Sequence, residues 1–136
     1  MSSKPNVSFP GYFFLEKLND IPQDTQNLNI PKVVIIVNEY TQSQAEECVM
    51  NCQNISGSVV IGSTTAAADG RVVRFDLPGN IRTVMTGWGV YYPDRGETQR
   101  IGIRIDEILR PTIAGIKAGR DELLERAIEI INESNL

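Results

Sequence analysis

The sequence predicts an α/β fold built on a mixed sheet with flanking helices and a β-hairpin, and three observations carry that prediction. A continuous apolar run, Val33-Val34-Ile35-Ile36-Val37, lies between Lys32 and Asn38. Apolar side chains on both faces suit a central strand of a parallel sheet covered by helices. A helical pattern and a second apolar run, Val59-Val60-Ile61, come next, completing one strand–helix–strand unit with a right-handed crossover. Farther on, two strand-like stretches flank Pro78-Gly79-Asn80, a turn sequence that reads as a hairpin.

Residues 1–30 hold Pro5, Pro10, Gly11 and Pro22 and one apolar cluster, Tyr12 to Leu15. They read as an irregular arm packed on the core, with one short strand or helix pinned by its aromatics. Residues 31–136 read as the core itself. The helix over 43–54 is marked by Ala45, Cys48, Val49 and Cys52 at helical spacing. The hairpin strands are 71–77 and 81–86, a turn falls at Pro93-Asp94-Arg95-Gly96, and a strand over 98–103 is expected to return to the sheet. Pro111 opens a short helix that stops near Gly119. Asp121 reads as the N-cap of a closing helix whose apolar stripe is Leu123, Leu124, Ala127, Ile128 and Ile131, with Glu122 and Arg126 as an i,i+4 pair.

Composition narrows the function. The net charge is −4 over 136 residues and no Lys/Arg run occurs, so nucleic acid is not an expected partner. No apolar run is long enough to span a bilayer, and no apolar h-region follows the first residues. There is no histidine, which removes both a Cys/His zinc site and the commonest general base. Cys48 and Cys52 read as two small core residues. No cofactor or metal is expected.

The most informative stretch is Asn38-Glu39-Tyr40-Thr41-Gln42-Ser43-Gln44-Ala45-Glu46. A polar loop leaves the C-terminal end of a buried strand, where open α/β sheets place their sites, and enters a helix. The N–H groups of a first helical turn lack partners and favour negative charge. Ser43 is placed to act as a nucleophile there, with the Gln44 N–H facing a developing oxyanion. The same residues also read as plain structure. Ser43-Gln44-Ala45-Glu46 is a capping box, and so is Thr41-Gln42-Ser43-Gln44. With Thr41 as cap, Ser43 would sit in the first turn with its hydroxyl free. Spacing does not choose between these registers.

These residues resemble the nucleophile loop of the tail-specific, or C-terminal processing, serine peptidases, which include the tricorn protease core. Val37-Asn38-Glu39, Ser43 and Glu46 match the family's strand end, nucleophile and following glutamate. The run Val60-Ile61-Gly62-Ser63-Thr64-Thr65 is similar to its Val-Ile-Gly-x-x-Thr segment. Gly87-Trp88-Gly89-Val90-Tyr91-Tyr92-Pro93-Asp94, Thr98-Gln99-Arg100-Ile101-Gly102-Ile103, Arg110-Pro111-Thr112-Ile113 and the segment from Gly119 to Leu124 resemble one subgroup. The resemblance runs from about Phe9 to about Ile131. It implies part of a ClpP/crotonase-like core, the C-terminal part of the catalytic domain. It implies proteolysis through an acyl-enzyme on Ser43, a peptide or protein substrate, and an extracytoplasmic setting in the bacterial cell envelope. Gly62, Thr64 and Thr65 would then bind substrate, and the 71–86 hairpin would pair with an extended peptide.

The departures from the family are informative. Ala68 stands where one branch carries a lysine base, and Lys32 and Lys117 lie in unsuitable places. The tricorn-like branch uses a histidine N-terminal to the serine, oriented by an acid. Glu97 is the nearest upstream acid here and the candidate for that role, although the alignment can also set Gln99, two residues on, at the family's glutamate position; the ordinary reading of Glu97 is a solvated loop glutamate. The segment from Gly102 to Asp106 lacks the family's proline. No Asp-Leu-Arg-Asn-x-x-Gly-Gly turn occurs. The resemblance thus implies a base and a second oxyanion donor supplied from before Met1, and an isolated chain nearly inactive. A non-catalytic relative that binds peptide or glycan is the alternative. A crotonase-type acyl-CoA enzyme is more remote, since no adenine-site signal is present. Oligomeric state is open.

Overall fold

The computed structural model describes residues 2–17 and 30–133. Two sheets organise it. Strands β1 (Ser2–Pro5), β2 (Phe13–Glu16), β5 (Arg71–Leu77) and β6 (Ile81–Val90) form an antiparallel sheet in the order β2-β1-β6-β5. Strands β3 (Val34–Val37), β4 (Val59–Gly62) and β7 (Glu107–Ile108) form a parallel sheet in the order β3-β4-β7. Helices α1 (Gln44–Cys52), α2 (Ile113–Lys117) and α3 (Glu122–Glu133) complete the described residues. None of these helices is long and apolar enough to cross a membrane.

Strand alternation divides the parallel sheet into two packed faces. On one face Val37 and Val60 join Val49 of α1 and Ile103, with Ile35 and Met50 alongside. On the other, Ile61 joins Ala127 and Ile130 of α3, with Val34 and Val59 alongside. The doubly apolar run therefore acquires helices on both sides, as its composition predicts. Its place in the sheet differs from expectation. Among the described residues β4 is the middle strand and β3 an edge, because two apolar faces report coverage by helices and not neighbours within the sheet.

The crossover is drawn tight at Gly62, which adopts φ +131°, and a Cβ there would overlap the Val37 carbonyl. On the other side of β4, the chain before β7 borrows a side chain to lengthen the ladder. The Val60 N–H donates to Asp106 Oδ2 at 2.8 Å while the Asp106 N–H donates to the Val60 carbonyl at 2.9 Å.

Several local expectations are corrected. Residues 98–103 do not form a strand. They turn, with the Gly102 N–H donating to the Thr98 carbonyl at 2.8 Å and Arg100 at φ +67°, and β7 makes the return to the sheet instead. Most of the aromatic cluster of the arm lies in β2, the strand that pairs with β1 at one edge of the four-stranded sheet, and its side chains are exposed; most of 18–30 lies outside the described residues. The buried face of α1 is Glu46 and Val49, whereas Ala45 and Cys48 face solvent. The periodicity misplaced that stripe because it assigned a carboxylate to the wet side. Thr112 caps α2 by accepting the Gly115 N–H at 2.9 Å, so Pro111 precedes the cap. Asp121 caps α3 as expected, accepting the Leu124 N–H at 3.0 Å. Glu122 spends its carboxylate on the Thr112 N–H and hydroxyl. Arg126 reaches across to Glu107 of β7 at 2.9 and 3.0 Å instead of pairing with Glu122.

Gly62→Ala is expected to destabilise the chain by on the order of 2 kcal/mol, from the strained backbone and the forced separation of β3 and β4. Urea denaturation followed by circular dichroism measures it. An unchanged midpoint would show that the close strand approach is dispensable.

Candidate active site

The polar loop after β3 is organised by its own side chains. The Asn38 N–H donates to Thr41 Oγ1 at 3.1 Å, and Asn38 Oδ1 accepts the Tyr40 N–H at 3.0 Å. Thr41 is thereby consumed inside the loop and does not cap the helix, which settles the register: Ser43 is the N-cap of α1. Its backbone is unusual. Ser43 adopts φ 54° and ψ −120°, a region that residues with a Cβ avoid, at a cost of about 1–3 kcal/mol. Ordinary N-caps lie in the extended region.

Ser43 and Glu46 form a capping box, with the serine side chain facing the Glu46 N–H and the Glu46 carboxylate accepting the Ser43 N–H. The Glu46 N–H also reaches the Ser43 carbonyl at 2.8 Å. Ser43 is exposed, and its side chain lines an open cleft of about 370 Å³ with Gln44, Glu47, Asp69, Gly70, Arg71 and Val72. Next to it, the Gln44 N–H finds no backbone acceptor among the described residues, as befits a first-turn amide.

Glu46 holds the turn in place. It is fully buried, at 0% exposure, and its carboxylate is saturated by four donors. Oε2 accepts the Ser43 N–H at 3.0 Å and the Ala68 N–H at 3.0 Å. Oε1 accepts the Ala67 N–H at 2.9 Å and the Thr65 hydroxyl at 2.5 Å. Thr65 Oγ1 in turn accepts the Ile103 N–H at 3.1 Å. The loop over 63–70 is thus pinned beneath the serine turn, an arrangement completed by the Ala66 N–H on the Thr41 carbonyl at 2.9 Å.

Asp69, in the wall of the cleft, is the opposite case. It is 1% exposed, and neither carboxylate oxygen has a hydrogen-bond partner among the described residues. Burial pushes its carboxyl above the usual carboxylate range, and the charges of Glu46 and Glu47 push the same way. The neighbouring Thr98 hydroxyl favours the ionised form, but its single proton is donated to the Val90 carbonyl at 2.9 Å.

The sequence-derived candidates separate. Ser43 and Gln44 meet at the cleft. Thr65 is buried and spent on Glu46, and Gly62 is the strand contact described above, so both support the loop from within. Thr64 is exposed beside Gly102. Glu97 is exposed, bridges to Tyr91, and lines a separate depression with Gln99 and Arg100. Gln99 is engaged by the Gly70 N–H at 2.9 Å. Lys32 precedes β3, at the opposite end of that strand from the serine loop. Asp69 was not foreseen; an acid within Ala68-Asp69-Gly70 reads as a turn residue until burial is known.

Two comparisons place this geometry. Among solved structures, the chain is similar to a candidate peptidase from Parabacteroides merdae, with TM-score 0.69 and 23% identity over 76% of this chain and 32% of that one. It is also similar to mature CPAF, with TM-score 0.64 and 21% identity over 77% of this chain and 21% of that one. The lactacystin complex of mature CPAF gives TM-score 0.62 and 20% identity, over 75% and 21% of the two chains. At these identities the likeness is one of fold, and the chain spans a third or less of the length of these proteins. No curated protein matches the sequence. The profile described as peptidase family S41 matches residues 14–109, which is well over half of the sequence, and the chain belongs to that family.

Proposed function

We propose that this chain carries the nucleophile of a serine-type peptidase, with Ser43 forming the acyl-enzyme. The observation that supports it most is the Ser43 backbone. A serine held at φ 54°, ψ −120° at a helix start, exposed at an open cleft, resembles the strained strand-to-helix turn that exposes nucleophiles in other hydrolases. Glu46 stabilises the strain by bonding the Ser43 N–H from below. In the reaction, Ser43 Oγ bonds to the scissile carbonyl carbon as a base removes its proton. The carbonyl electron pair moves onto oxygen, where the Gln44 N–H stabilises it. Negative charge therefore builds in a cleft whose wall includes Glu47 and the buried Asp69.

The base is the part this sequence lacks. No histidine occurs, and the cleft is lined by neither imidazole nor amine. We assign the base and a second oxyanion donor to a longer parent protein. The chain then corresponds to the C-terminal part of a ClpP/crotonase-like catalytic core of the tricorn-like branch, with peptides or proteins as substrates in the cell envelope. The same lack favours a second reading, a peptide-binding relative without catalysis.

Labelling with a fluorophosphonate decides between them. An adduct on Ser43 in the longest natural protein containing this sequence, and none in the isolated chain, is the expected result; no adduct in either favours the binding relative. In that longer protein, Glu46→Ala is expected to slow labelling about a hundredfold. It is also expected to lower stability by about 3 kcal/mol or more, because three amides and a hydroxyl lose a buried acceptor. Wild-type labelling and stability in that variant would remove Glu46 from the account. Asp69→Asn is expected to stabilise the chain at neutral pH. A folded-state pKa above the unfolded value near 3.8 means that the stability linked to this group is fully present below 3.8 and lost as pH rises through the folded value. The advantage of the Asn variant should therefore grow from acid to neutral pH, as read by thermal melts; a constant difference would contradict the raised pKa.

A further inference from the structure

One pair of reactive side chains has no part in the fold or the cleft. Cys48 and Cys52 are expected in the core, yet Cys48 is exposed and Cys52 only half-buried. They stand four residues apart in α1, so they project from the same helical face on successive turns. Burial pushes the Cys52 thiol above its usual pKa, and the neighbouring Cys48 thiol pushes the same way, which sets the two sulfurs side by side. The spacing decides what the pair can hold. Cβ atoms of an i,i+4 pair lie about 5–6 Å apart, whereas a disulfide needs about 3.5–4.5 Å. A direct S–S bond would therefore unwind the last turn of α1. A single ion between the sulfurs removes the mismatch. With metal–thiolate bonds of about 2.3 Å, a two-coordinate ion spans about 4.6 Å from sulfur to sulfur. The turn is also prepared for a cation. Gln53, its C-cap, donates from Nε2 to the Arg104 carbonyl at 2.8 Å and accepts the Tyr92 hydroxyl at 2.9 Å, so the helix end is anchored. The last turn holds no basic residue, which leaves the negative end of the helix dipole uncompensated.

We propose that Cys48 and Cys52 form a binding site for a soft monovalent cation of low coordination number, Cu(I), held between their two sulfurs as a bis-thiolate. Thiolates are soft donors and select Cu(I) over harder ions. Each thiol gives up its proton as its copper–sulfur bond forms. Copper keeps its oxidation state, so no oxidant or reductant is consumed. Zn²⁺ takes four ligands in such sites, and no cluster of three or more His, Cys, Asp or Glu side chains suited to a metal occurs among the described residues. The bound ion would clamp the last turn of the helix whose first turn follows Ser43. The site stands on the geometry of α1 alone and is independent of any catalytic role of Ser43.

The test titrates the reduced chain with Cu(I), without oxygen, against the chromogenic chelator bicinchoninate. Uptake of one Cu(I) per chain, in a two-coordinate copper–sulfur environment by X-ray absorption, is the expected result. Cys48→Ser and Cys52→Ser should each weaken uptake at least about a hundredfold, since loss of an outer-shell partner alone costs about 10–100-fold. Cys48 is exposed, so its serine variant is expected to keep the fold, which circular dichroism checks; it carries the test alone if Cys52→Ser unfolds. Unchanged uptake in folded Cys48→Ser overturns the proposal. So does one copper shared between two chains, detected by gel filtration, or Zn²⁺ bound as tightly as Cu(I). Air oxidation that closes a Cys48–Cys52 disulfide while the amide NMR signals of α1 stay in place overturns the spacing argument and the proposal with it. The longest natural protein containing this sequence repeats the titration. Copper uptake there that Cys48→Ser abolishes supports the site. Thiols that neither react with Ellman's reagent nor take up copper overturn it, because the rest of that protein then covers the pair.

Discussion

One buried carboxylate holds the site together. Glu46 has no exposure, yet its four hydrogen bonds come from two separate stretches of chain: the serine turn, and the 63–70 loop through the Thr65 hydroxyl and the Ala67 and Ala68 N–H groups. Burying a charge is tolerated only when its oxygens are fully bonded, and here saturation requires that α1 and the 63–70 loop be in register with each other. That register is in turn fixed by the parallel pairing of β3 with β4, from whose C-terminal ends the two segments emerge.

The strand pairing and the carboxylate share the work of positioning. Gly62 lets β4 approach the Val37 carbonyl closely enough for the Ser63 N–H to bond it at 3.1 Å. The loop that follows is then delivered under the serine turn, where Ala67 takes a positive φ of 57° to present its N–H. A second support comes from the 98–103 turn, which bonds Thr65 and the Ala67 carbonyl from the far side. The segment could not serve as a strand and also curl back in this way.

Electrostatically the cleft is divided. Glu46 is surrounded by donors, whereas Asp69 has burial without donors, and that burial raises its pKa above the usual carboxylate range. Two carboxyl groups of similar depth thus differ in how many donors reach them. Arg71 adds a positive charge at the rim, 3.6 Å from Glu47, where solvent weakens the attraction. The antiparallel sheet, by contrast, contributes little buried surface of its own, and its hairpin carries apolar groups outward beside the cleft.

The sequence by itself determined the elements that local chemistry dictates. The doubly apolar strands, the helix after Ser43, the Pro78-Gly79-Asn80 turn and the Asp121 cap all follow from periodicity, turn chemistry or capping, which act over a few residues. It also singled out Ser43 and Gln44, through their place after a buried strand at a helix start. Tertiary structure alone decided the remainder. Whether Thr41 or Ser43 caps α1 depended on which hydroxyl the loop consumed. Glu46 looked like one half of a local box and proved to be a buried bridge, because its other partners lie about twenty residues away. Asp69 became notable only once burial removed its solvent, and Glu97 moved off the cleft because residues 98–103 turn. Long-range hydrogen bonds and burial are properties of pairs distant in sequence, and a single chain read locally does not encode which pairs will meet.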